Sequence, residues 1–341
     1  MVKSFIKKWW NDLKYEPNDP RCLAGGRIKI AAIGGGTGLS TLLRGLKNYS
    51  NDISAIVSVA DNGASSGVLR KEFDILAPGD IRKCISALAY DEDLISNLLE
   101  YRFAKGNNSF SEHALGNIWI TGLTNYFGSF DKAIEVTSEI FKTAGRVLPA
   151  TLSDVDICIE YEDGKTLVGE EHLEEQLKKI KKITLSKKAD GYKKAVDAIA
   201  DADLILVGPG SLYGSIIPNL LIKDISEAIE KNKKAVKIYV ANSSTERTQT
   251  RDYTIEDHIK VISQHVPEKI FDHCLVNNKI IKQSDDQLKL GAINNITTKN
   301  DEYEGIKIIK EDLINEGSPL YHDSDKLAKA VVEIYNKAKR P

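Results

Sequence analysis

The feature that most constrains the fold of this chain is a glycine-rich loop placed directly after a short apolar strand, and it occurs three times. The loops span residues 34–38, 61–67 and 208–214, and the preceding runs have strand length and β-branched character. Strands that alternate with helical segments predict a mostly parallel, doubly wound sheet. Because parallel strands point the same way, we expect the three loops at one carboxyl edge, where open α/β folds bind ligands.

Hydrophobic periodicity predicts the remaining elements of this α/β fold. Strands are predicted at 28–33, 53–59, 203–207 and 235–241, and helices at 39–46, 80–105, 114–142, 192–201, 219–231, 254–265 and 324–338. Between about 145 and 190, short apolar segments surround the turn Glu162-Asp163-Gly164. This segment predicts a small antiparallel β-insertion in an otherwise Rossmann-like sheet.

Composition excludes several classes of protein. The 341 residues carry a formal net charge of −2, which gives no electrostatic reason to expect nucleic acid as a partner. No apolar stretch approaches the roughly 18–20 residues of a transmembrane helix, and the first residues lack the apolar region of a secretory signal. The four cysteines share no C-x-x-C spacing, which favours reduced thiols over a metal site. We therefore expect a cytoplasmic protein.

Residues 1–26 stand apart from the α/β pattern as an N-terminal extension. Their large apolar side chains recur at helical spacing between lysines 3, 7, 8 and 14; these side chains are Phe5, Ile6, Trp9, Trp10 and Leu13. A helix with aromatic side chains on one face and lysines on the other could contact an anionic membrane surface weakly through residues 3–14. The alternative is a short helix that docks on its own protein or on another subunit of a homo-oligomer.

The glycine loops favour a ligand that carries phosphate. Glycine lets backbone N–H groups approach a phosphate closely, and the following helix N-terminus adds the positive end of its dipole. The first loop is an incomplete dinucleotide fingerprint, because Leu39 stands where a third glycine is required, and it lacks the lysine and spacing of a Walker A loop. A nicotinamide-dependent oxidoreductase is therefore the weaker interpretation, although NADP stays an alternative ligand.

Polar residues beside the loops are candidates for ligand contacts, and each has a structural alternative. Asp61 ends the second strand, where it could reach a ribose or a metal, or cap the turn that follows. Ser65 and Ser66 could donate to phosphate or serve only the turn. Asp80 and Arg82 begin a predicted helix, where Asp80 is a good N-cap and Arg82 could be a solvated side chain.

Three further positions carry histidine or asparagine. His113 and Asn117 flank Leu115-Gly116 at the start of a predicted helix, where a lone histidine is more often structural than catalytic. Asn219 follows a proline and is interpreted as a cap, and Asp257-His258 as a surface pair. No HExxH motif, Ser-His-Asp arrangement or G-x-S-x-G elbow is present, so the sequence predicts no catalytic set and no metal ligands.

Taken together, the loops resemble the bacterial gluconeogenesis-factor (YvcK-like) family, a branch of the CofD-like superfamily. The resemblance extends over about 28–340, and its motifs occur in order along the chain. These motifs are Gly34-Gly35-Gly36-Thr37-Gly38, the segment 59–70 with Asp61, Ser65 and Ser66, Pro78-Gly79-Asp80-Ile81-Arg82, His113-x-Leu115-Gly116-Asn117, Gly145-Arg146-Val147-Leu148-Pro149-Ala150 and Gly208-Pro209-Gly210-Ser211-Leu212-Tyr213.

The resemblance implies a CofD-like domain over residues 27–341 that binds a nucleotide sugar such as UDP-N-acetylglucosamine. It also implies a role in growth on gluconeogenic carbon sources, cell shape and wall synthesis. The sister branch, 2-phospho-L-lactate transferase, uses Mg²⁺, so Asp61 would be the catalytic candidate if this chain were an enzyme. By position, the implied ligand-binding residues are Gly35, Gly36, Thr37, Asp61, Ser65, Ser66, Asn117, Gly210, Ser211 and Asn242.

Three departures from the family pattern bear on function. Asn62 replaces the second member of an Asp-Asp pair, residues 248–254 replace Gly-Glu-Thr-Asp-Gly-Tyr-Thr, and Tyr321-His322 replaces an Arg-His pair. Two carboxylates at 61–62 would hold Mg²⁺ beside phosphates, whereas an amide lacks the charge. We therefore expect a nucleotide-sugar sensor with little or no catalysis, whose binding is nearly insensitive to EDTA. The alternative is a transferase that moves a phosphate-linked group.

Overall fold

The computed structural model describes residues 28–107, 109–175, 178–266, 269–280 and 292–339. The expectations for residues 3–14 lie outside this part of the chain. Among the described residues, no helix combines the length and the apolar character needed to cross a membrane.

The centre of the protein is an eight-stranded, mostly parallel sheet. Its strands follow the order β12-β13-β10-β8-β7-β1-β2-β3, and only the edge strand β12 runs antiparallel to its neighbour. The strands of the whole chain are β1 (Ile30–Gly34), β2 (Ile53–Val57), β3 (Gly145–Pro149), β4 (Ile157–Tyr161), β5 (Thr166–Val168), β6 (Ile180–Leu185), β7 (Leu204–Val207), β8 (Val236–Val240), β9 (Ser244–Glu246), β10 (His273–Asn277), β11 (Ala292–Asn295), β12 (Glu302–Tyr303) and β13 (Ile306–Glu311). The predicted doubly wound α/β architecture is confirmed.

Helices cover both faces of this sheet. They are α1 (Gly36–Leu46), α2 (Ala64–Phe73), α3 (Gly79–Leu88), α4 (Glu92–Glu100), α5 (Leu115–Phe127), α6 (Phe130–Ile140), α7 (His172–Glu175), α8 (Lys193–Asp201), α9 (Ile217–Leu220), α10 (Lys223–Lys231), α11 (Ile255–His265) and α12 (Ser324–Lys339). Alternate residues of β1 enter different cores: Ala31 and Ile33 pack on one side of the sheet, and Ile30 and Ala32 on the other. Continuous apolar strands are what a sheet buried on both faces requires.

The β-insertion forms a separate three-stranded antiparallel sheet in the order β5-β4-β6. Its inward residues Ile157, Ile159 and Ile183 join one of the two main cores, so the insertion packs on the domain that carries it. Gly145–Pro149, which we placed at the beginning of the insertion, instead pairs in parallel with β2 as an edge strand of the main sheet.

Two predicted helices are each divided in two. The segment 114–142 breaks at Gly128, whose φ of +65° ends α5, and Ser129 caps α6 by accepting a hydrogen bond from the Lys132 amide. The segment 80–105 breaks after Leu88, and Asp91 caps α4. Helical periodicity continues across both breaks, so the capping residues, rather than the apolar pattern, determine where these helices end.

Several elements were not predicted. The second glycine loop is shorter than expected, because residues 64–73 form α2. The segment 219–231, predicted as one helix, is divided between the short helix α9 and α10. The strands β10 and β13 extend the sheet beyond β8 and pair in parallel with each other. These additions lengthen the parallel sheet without changing its class.

Candidate functional site

Glycine-rich loops meet around a cavity of about 690 Å³ at the carboxyl edge of the sheet. The first and third loops form its floor, and the second contributes Asp61. Its lining consists of Gly35, Gly36, Thr37, Gly38, Thr41, Ser58, Asp61, Asp80, Lys83, Glu170, Glu174, Pro209, Gly210, Ser211, Gly214, Ser215, the run 242–249 and the run 320–322. Seven of the ten predicted ligand-binding residues therefore lie together on this cavity.

The first loop owes its geometry to two glycines. Gly36 begins α1 with a φ of +64°, and its N–H donates to Asp80 Oδ2 at 2.6 Å. A Cβ on Gly38 would lie 2.7 Å from the carbonyl carbon and oxygen of Pro209, so the first and third loops touch through backbone. The first-turn N–H groups of a helix have no partner within the helix, and here the helix begins at the cavity.

The third loop is held by side chains that also line the cavity. Asn242 forms two hydrogen bonds with Gly210: its Oδ1 accepts from the Gly210 N–H, and its Nδ2 donates to the Gly210 carbonyl, both at 2.9 Å. Ser211 Oγ accepts from the Gly214 N–H and donates to Gln249 Oε1 at 2.8 Å. A short π-helical turn over Leu212–Ile216 follows. Turns of this kind are frequent at functional sites.

Asp61 and Asp80 place two carboxylates on one wall of the cavity. Asp61 Oδ1 accepts from the Gly63 N–H at 2.7 Å, so it does cap the turn as well as face the cavity. Burial, and then the charge of Asp80, raise the pKa of Asp61 above its ordinary value. Lys83 donates to Asp80 Oδ1 at 3.1 Å; although burial alone would lower the pKa of this lysine, Asp80 and Asp61 raise it.

A second group of carboxyls faces the same cavity. Glu170 and Glu174 come from the insertion, and Glu246 from β9. Burial raises the pKa of Glu170 to about 8, and Asp61 and Asp80 contribute. Burial also raises the pKa of Glu246 to about 7, although Ser211 opposes this effect. The described lining thus holds five carboxyl groups against two basic side chains, Lys83 and Arg247.

Ser65, Ser66 and Asn117 do not line the cavity. Ser65 Oγ lies 3.0 Å from His113 Nδ1 and accepts from Asn117 Nδ2 at 3.0 Å. Asn117 Oδ1 in turn accepts from Arg82 Nη1 at 3.0 Å. All four side chains of this network are buried next to the wall that carries Asp61. The buried Ser66 hydroxyl hydrogen-bonds to Asp61 and so helps to stabilise its carboxylate.

Four structural alternatives are wrong. Arg82 is buried rather than solvated and pairs with Glu100 at 2.8 Å. Asp80 is not an N-cap, because α3 begins at Gly79 and the Asp80 carboxylate binds the Gly36 amide. Asn219 is not a cap: it is fully buried, and its Nδ2 donates to the Gly34 carbonyl at 3.0 Å and to the Ser215 carbonyl at 2.7 Å.

The fourth structural alternative that is wrong is the interpretation of Asp257-His258 as a surface pair. Asp257 completes a capping box with Thr254 at the start of α11. His258 is buried, and its Nδ1 lies 2.9 Å from the hydroxyl of Tyr239. Burial lowers the pKa of His258 to about 4, so this histidine is neutral near pH 7.

The departures from the family pattern fall in different places. Asn62 turns away from the cavity: its Nδ2 donates to Asp156 Oδ1 at 2.9 Å, and its Oδ1 accepts from Arg70. The carboxylate that accompanies Asp61 on the cavity wall is therefore Asp80. Tyr321 and His322 both line the cavity. Burial lowers the pKa of His322 to about 4.

Sequence reasoning missed much of the polar lining. Lys83 lies one helical turn after Asp80 and could have been found by its (i, i+3) spacing. Glu170 and Glu174 lie on the insertion and reach the cavity only through tertiary packing. Glu246 and Gln249 follow β8, so the rule that ligands bind at carboxyl ends of parallel strands could have indicated them.

Comparisons with known proteins agree with this architecture. A family model described as 2-phospho-L-lactate transferase CofD matches residues 30–314. A putative gluconeogenesis factor of Nostoc sp. is 47% identical over 74% of this chain, and the chain spans only 55% of that protein. The gluconeogenesis factor of Bacillus subtilis is 39% identical over 91% of this chain and 99% of its own length.

This chain is also similar to a solved crystal structure. The crystal structure of a Bacillus halodurans protein has a TM-score of 0.83 and 38% sequence identity, and the alignment covers 90% of this chain and all of that chain. The family model spans well over half of the chain, and the B. subtilis relative is aligned over nearly its whole length. The chain therefore belongs to the CofD family and, within it, to the gluconeogenesis factors.

Proposed function

We propose that this chain binds a nucleotide sugar of the UDP-N-acetylglucosamine type in the cavity and acts as a sensor rather than as an efficient enzyme. In this role it would serve cell shape and envelope metabolism in the cytoplasm during growth on gluconeogenic carbon sources. The observation that carries the proposal is the meeting of the first and third glycine loops around the N-terminus of α1, on a cavity of about 690 Å³. That volume lies within the range of small-molecule sites, roughly 300–1,000 Å³.

The floor of the cavity suits the diphosphate of such a ligand. The backbone of the first loop approaches without side chains at Gly35 and Gly36, and the start of α1 supplies N–H groups and a positive dipole end. Lys83 and Arg247 add the positive charge of the lining. Phosphate oxygens accept hydrogen bonds, so the N–H groups at this helix start match them, although the Gly36 N–H already donates to Asp80 Oδ2.

The carboxyl and amide groups beside the third loop suit hydroxyl groups of a ligand. Glu170, Glu174 and Glu246 offer carboxyl oxygens, and Gln249 adds an amide. Carboxylates accept hydrogen bonds from sugar hydroxyls, whereas they repel a second phosphate. A lining that offers both N–H donors and carboxyl or amide acceptors supports a ligand that carries phosphate as well as hydroxyl groups.

Thermal unfolding of the full chain tests binding. UDP-N-acetylglucosamine at about 100 Kd should raise the free energy of unfolding by roughly 2.7 kcal/mol, because it binds only the folded state. UDP alone, N-acetylglucosamine alone and NADP are the comparison ligands, and mass spectrometry of ligand that co-purifies with the protein gives an independent identification. If the melting temperature shifts with none of these ligands, the cavity is not a nucleotide-sugar site.

A transferase is the second candidate, because Asp61 and Asp80 share one wall of the cavity. Among the described residues, no three histidine, cysteine, aspartate or glutamate side chains form a metal cluster by themselves. However, Mg²⁺ at nucleotide sites is generally held by one or two carboxylates together with substrate phosphates, and these two aspartates fit that pattern. Bound there, Mg²⁺ would offset charge that develops on the phosphates.

A turnover assay separates the two candidates. The proposed sensor should release no nucleotide from a phospholactate-type donor, with or without Mg²⁺. Asp61→Asn is the matched variant, because the amide oxygen can still accept from the Gly63 N–H. Multiple turnovers by the wild-type chain that require Mg²⁺ and disappear in Asp61→Asn would establish the enzyme instead.

A further inference from the structure

Two aspartates and a lysine form a compact group on one wall of the cavity. Asp61 follows β2, whereas Asp80 and Lys83 lie one turn apart at the start of α3. A Cβ on Gly79 would lie 2.9 Å from Asp61 Oδ2, so Asp61 packs against the residue just before Asp80. Two carboxylates this close repel each other unless a cation accompanies them.

The oxygens of this carboxylate pair already have partners. Asp61 Oδ1 accepts from the Gly63 N–H at 2.7 Å, and Asp80 Oδ2 accepts from the Gly36 N–H at 2.6 Å. The second oxygen of Asp80, Oδ1, accepts from Lys83 Nζ at 3.1 Å. Both oxygens of Asp80 are therefore bound, one by a backbone amide and the other by an ammonium group.

The ammonium group of Lys83 supplies the positive charge that the pair requires. The Lys83 side chain is 33% exposed and lines the cavity, and its charge acts on Asp61 as well as on Asp80. Mg²⁺ would need carboxylate oxygens at about 2.0–2.1 Å in nearly octahedral geometry. An ion at that distance from Asp80 Oδ1 would be repelled by the ammonium group bound to the same oxygen.

We propose that Lys83 supplies the cation of this site: its ammonium group takes the place of a divalent ion on the Asp61–Asp80 pair, so the wild-type chain binds no Mg²⁺ there. The two aspartates by themselves suit Mg²⁺, and the lysine is what excludes it. Asn62 contacts Arg70 and Asp156 outside the cavity. The metal preference of the site therefore depends on position 83 rather than on position 62.

The consequence for ligand binding rests on the proposed function. An ammonium group has three donors, and Lys83 uses one of them on Asp80. Because this side chain lines the cavity, its other donors can bind a phosphate oxygen of the nucleotide sugar. Mg²⁺ at nucleotide sites also joins carboxylates to phosphates, but it is a Lewis acid as well. Lys83 thus retains the phosphates without activating them for transfer.

Titration of the ligand-free full chain with Mn²⁺, followed by electron paramagnetic resonance, tests the proposal without any nucleotide. Mn²⁺ prefers the same oxygen ligands as Mg²⁺. The wild-type chain should show no Mn²⁺ site that depends on Asp80. Lys83→Gln and Lys83→Met both remove the charge, so each should gain one bound Mn²⁺ per chain, and the additional substitution Asp80→Asn should abolish it.

Two further variants are controls for this titration. Lys83→Arg keeps the positive charge and should remain without the Mn²⁺ site. Lys132→Gln is the matched control, because Lys132 also pairs with an acidic residue three positions along its helix, Glu135 at 3.3 Å, but outside the cavity. A Mn²⁺ site that appears in both neutral variants at position 83, and in neither control, supports the proposal. A wild-type site that Asp80→Asn removes overturns it, as do neutral variants with unchanged circular dichroism that bind no Mn²⁺.

A second measurement tests the contact with the ligand. The affinity for UDP-N-acetylglucosamine is measured by calorimetry in EDTA and in Mg²⁺. The wild-type chain should bind equally in both, whereas Lys83→Gln should bind about tenfold more weakly in EDTA, because it loses a hydrogen bond to a charged group, and should recover in Mg²⁺. Equal affinities of the two proteins in EDTA would overturn the contact between Lys83 and phosphate. Failure of the wild-type chain to bind would contradict the proposed function alone, since the Mn²⁺ titration still decides the role of Lys83.

Discussion

Replacing Glu170 with glutamine is expected to stabilise the protein at alkaline pH and to change little at acidic pH. The carboxyl of Glu170 is mostly buried and lines the same cavity as Asp61 and Asp80. Its pKa is raised from 4.5 to about 8, first by burial and then by these two charges. A neutral amide of nearly the same shape removes the charge that the site disfavours.

The sign and the size of the effect follow from linkage. The folded-state pKa lies above the unfolded value, so the stabilisation is fully present below about pH 4.5 and is lost as the pH rises through about 8. Each pKa unit is equivalent to about 1.36 kcal/mol, which sets an upper limit of roughly 5 kcal/mol. Water in the cavity screens the charges, so we expect a gain of about 2–4 kcal/mol for the variant at pH 9.

Thermal unfolding at pH 5 and pH 9 measures this effect. The wild-type chain should lose more stability than Glu170→Gln when the pH is raised from 5 to 9. Glu162→Gln, an exposed substitution on the same insertion, should follow the wild-type chain and serves as the control. Parallel losses in the wild type and in Glu170→Gln would mean that this carboxyl is ionised without penalty, and the electrostatic description of the cavity would be wrong.

Three further predictions concern the same site. Gly36→Val should abolish the melting shift given by a UDP-sugar. An L-residue at a φ of +64° costs roughly 1–2 kcal/mol and displaces the start of α1. An unchanged shift would show that the first loop does not contact the ligand. Deleting residues 1–24 should preserve the shift, since that segment precedes β1, and a folded but non-binding truncation would contradict this. Asn62→Asp should leave ligand affinity and its insensitivity to EDTA unchanged, because Asn62 contacts Arg70 and Asp156 outside the cavity; a new Mg²⁺ requirement measured by calorimetry would refute it.

The main sheet could be predicted because its signals are local. An apolar run such as 28–33, followed directly by Gly34-Gly35-Gly36, predicts a buried strand and a turn into a helix. The parallel direction of the strands then brings the loops to one edge. Six of the ten residues that the resemblance implied lie on these loops and line the cavity, and Asn242, on the loop after β8, is the seventh.

The positions of the other candidate side chains depend on tertiary packing, which the sequence pattern does not show. Ser65 and Asn117 belong to motifs that predict a ligand site. In the structure they bond instead to each other, Ser65 to His113 and Asn117 to Arg82, and neither lines the cavity. Glu170 could not have been placed, because nothing in the residues around it shows that the insertion folds back over the third loop. A Cβ on Gly214 would lie 3.2 Å from Glu170 Oε1.

In this chain the second position of the family's carboxylate pair, Asn62, does not face the cavity. Arg70 is buried and already binds Asp154 and Asp156, which lie just before and at the beginning of the insertion. Asn62 adds its amide oxygen to the same guanidinium. The residue at position 62 therefore helps to attach the insertion to the second loop, and its side chain hydrogen-bonds to Arg70 and Asp156 rather than facing a metal site on the cavity.

The substitution at position 321 acts on the cavity itself. Where the resemblance implies an arginine, Tyr321 removes one positive charge from a lining that retains Lys83 and Arg247 among the described residues. An anionic ligand then meets an excess of carboxyl groups, and its binding raises their pKa values further. Glu246, with a pKa of about 7, is the group best able to take up a proton near neutral pH, whereas Glu170, with a pKa of about 8, is already mostly protonated there. Proton uptake in this chain can thus replace part of the charge that the arginine would supply, at the cost of an affinity that falls as the pH rises.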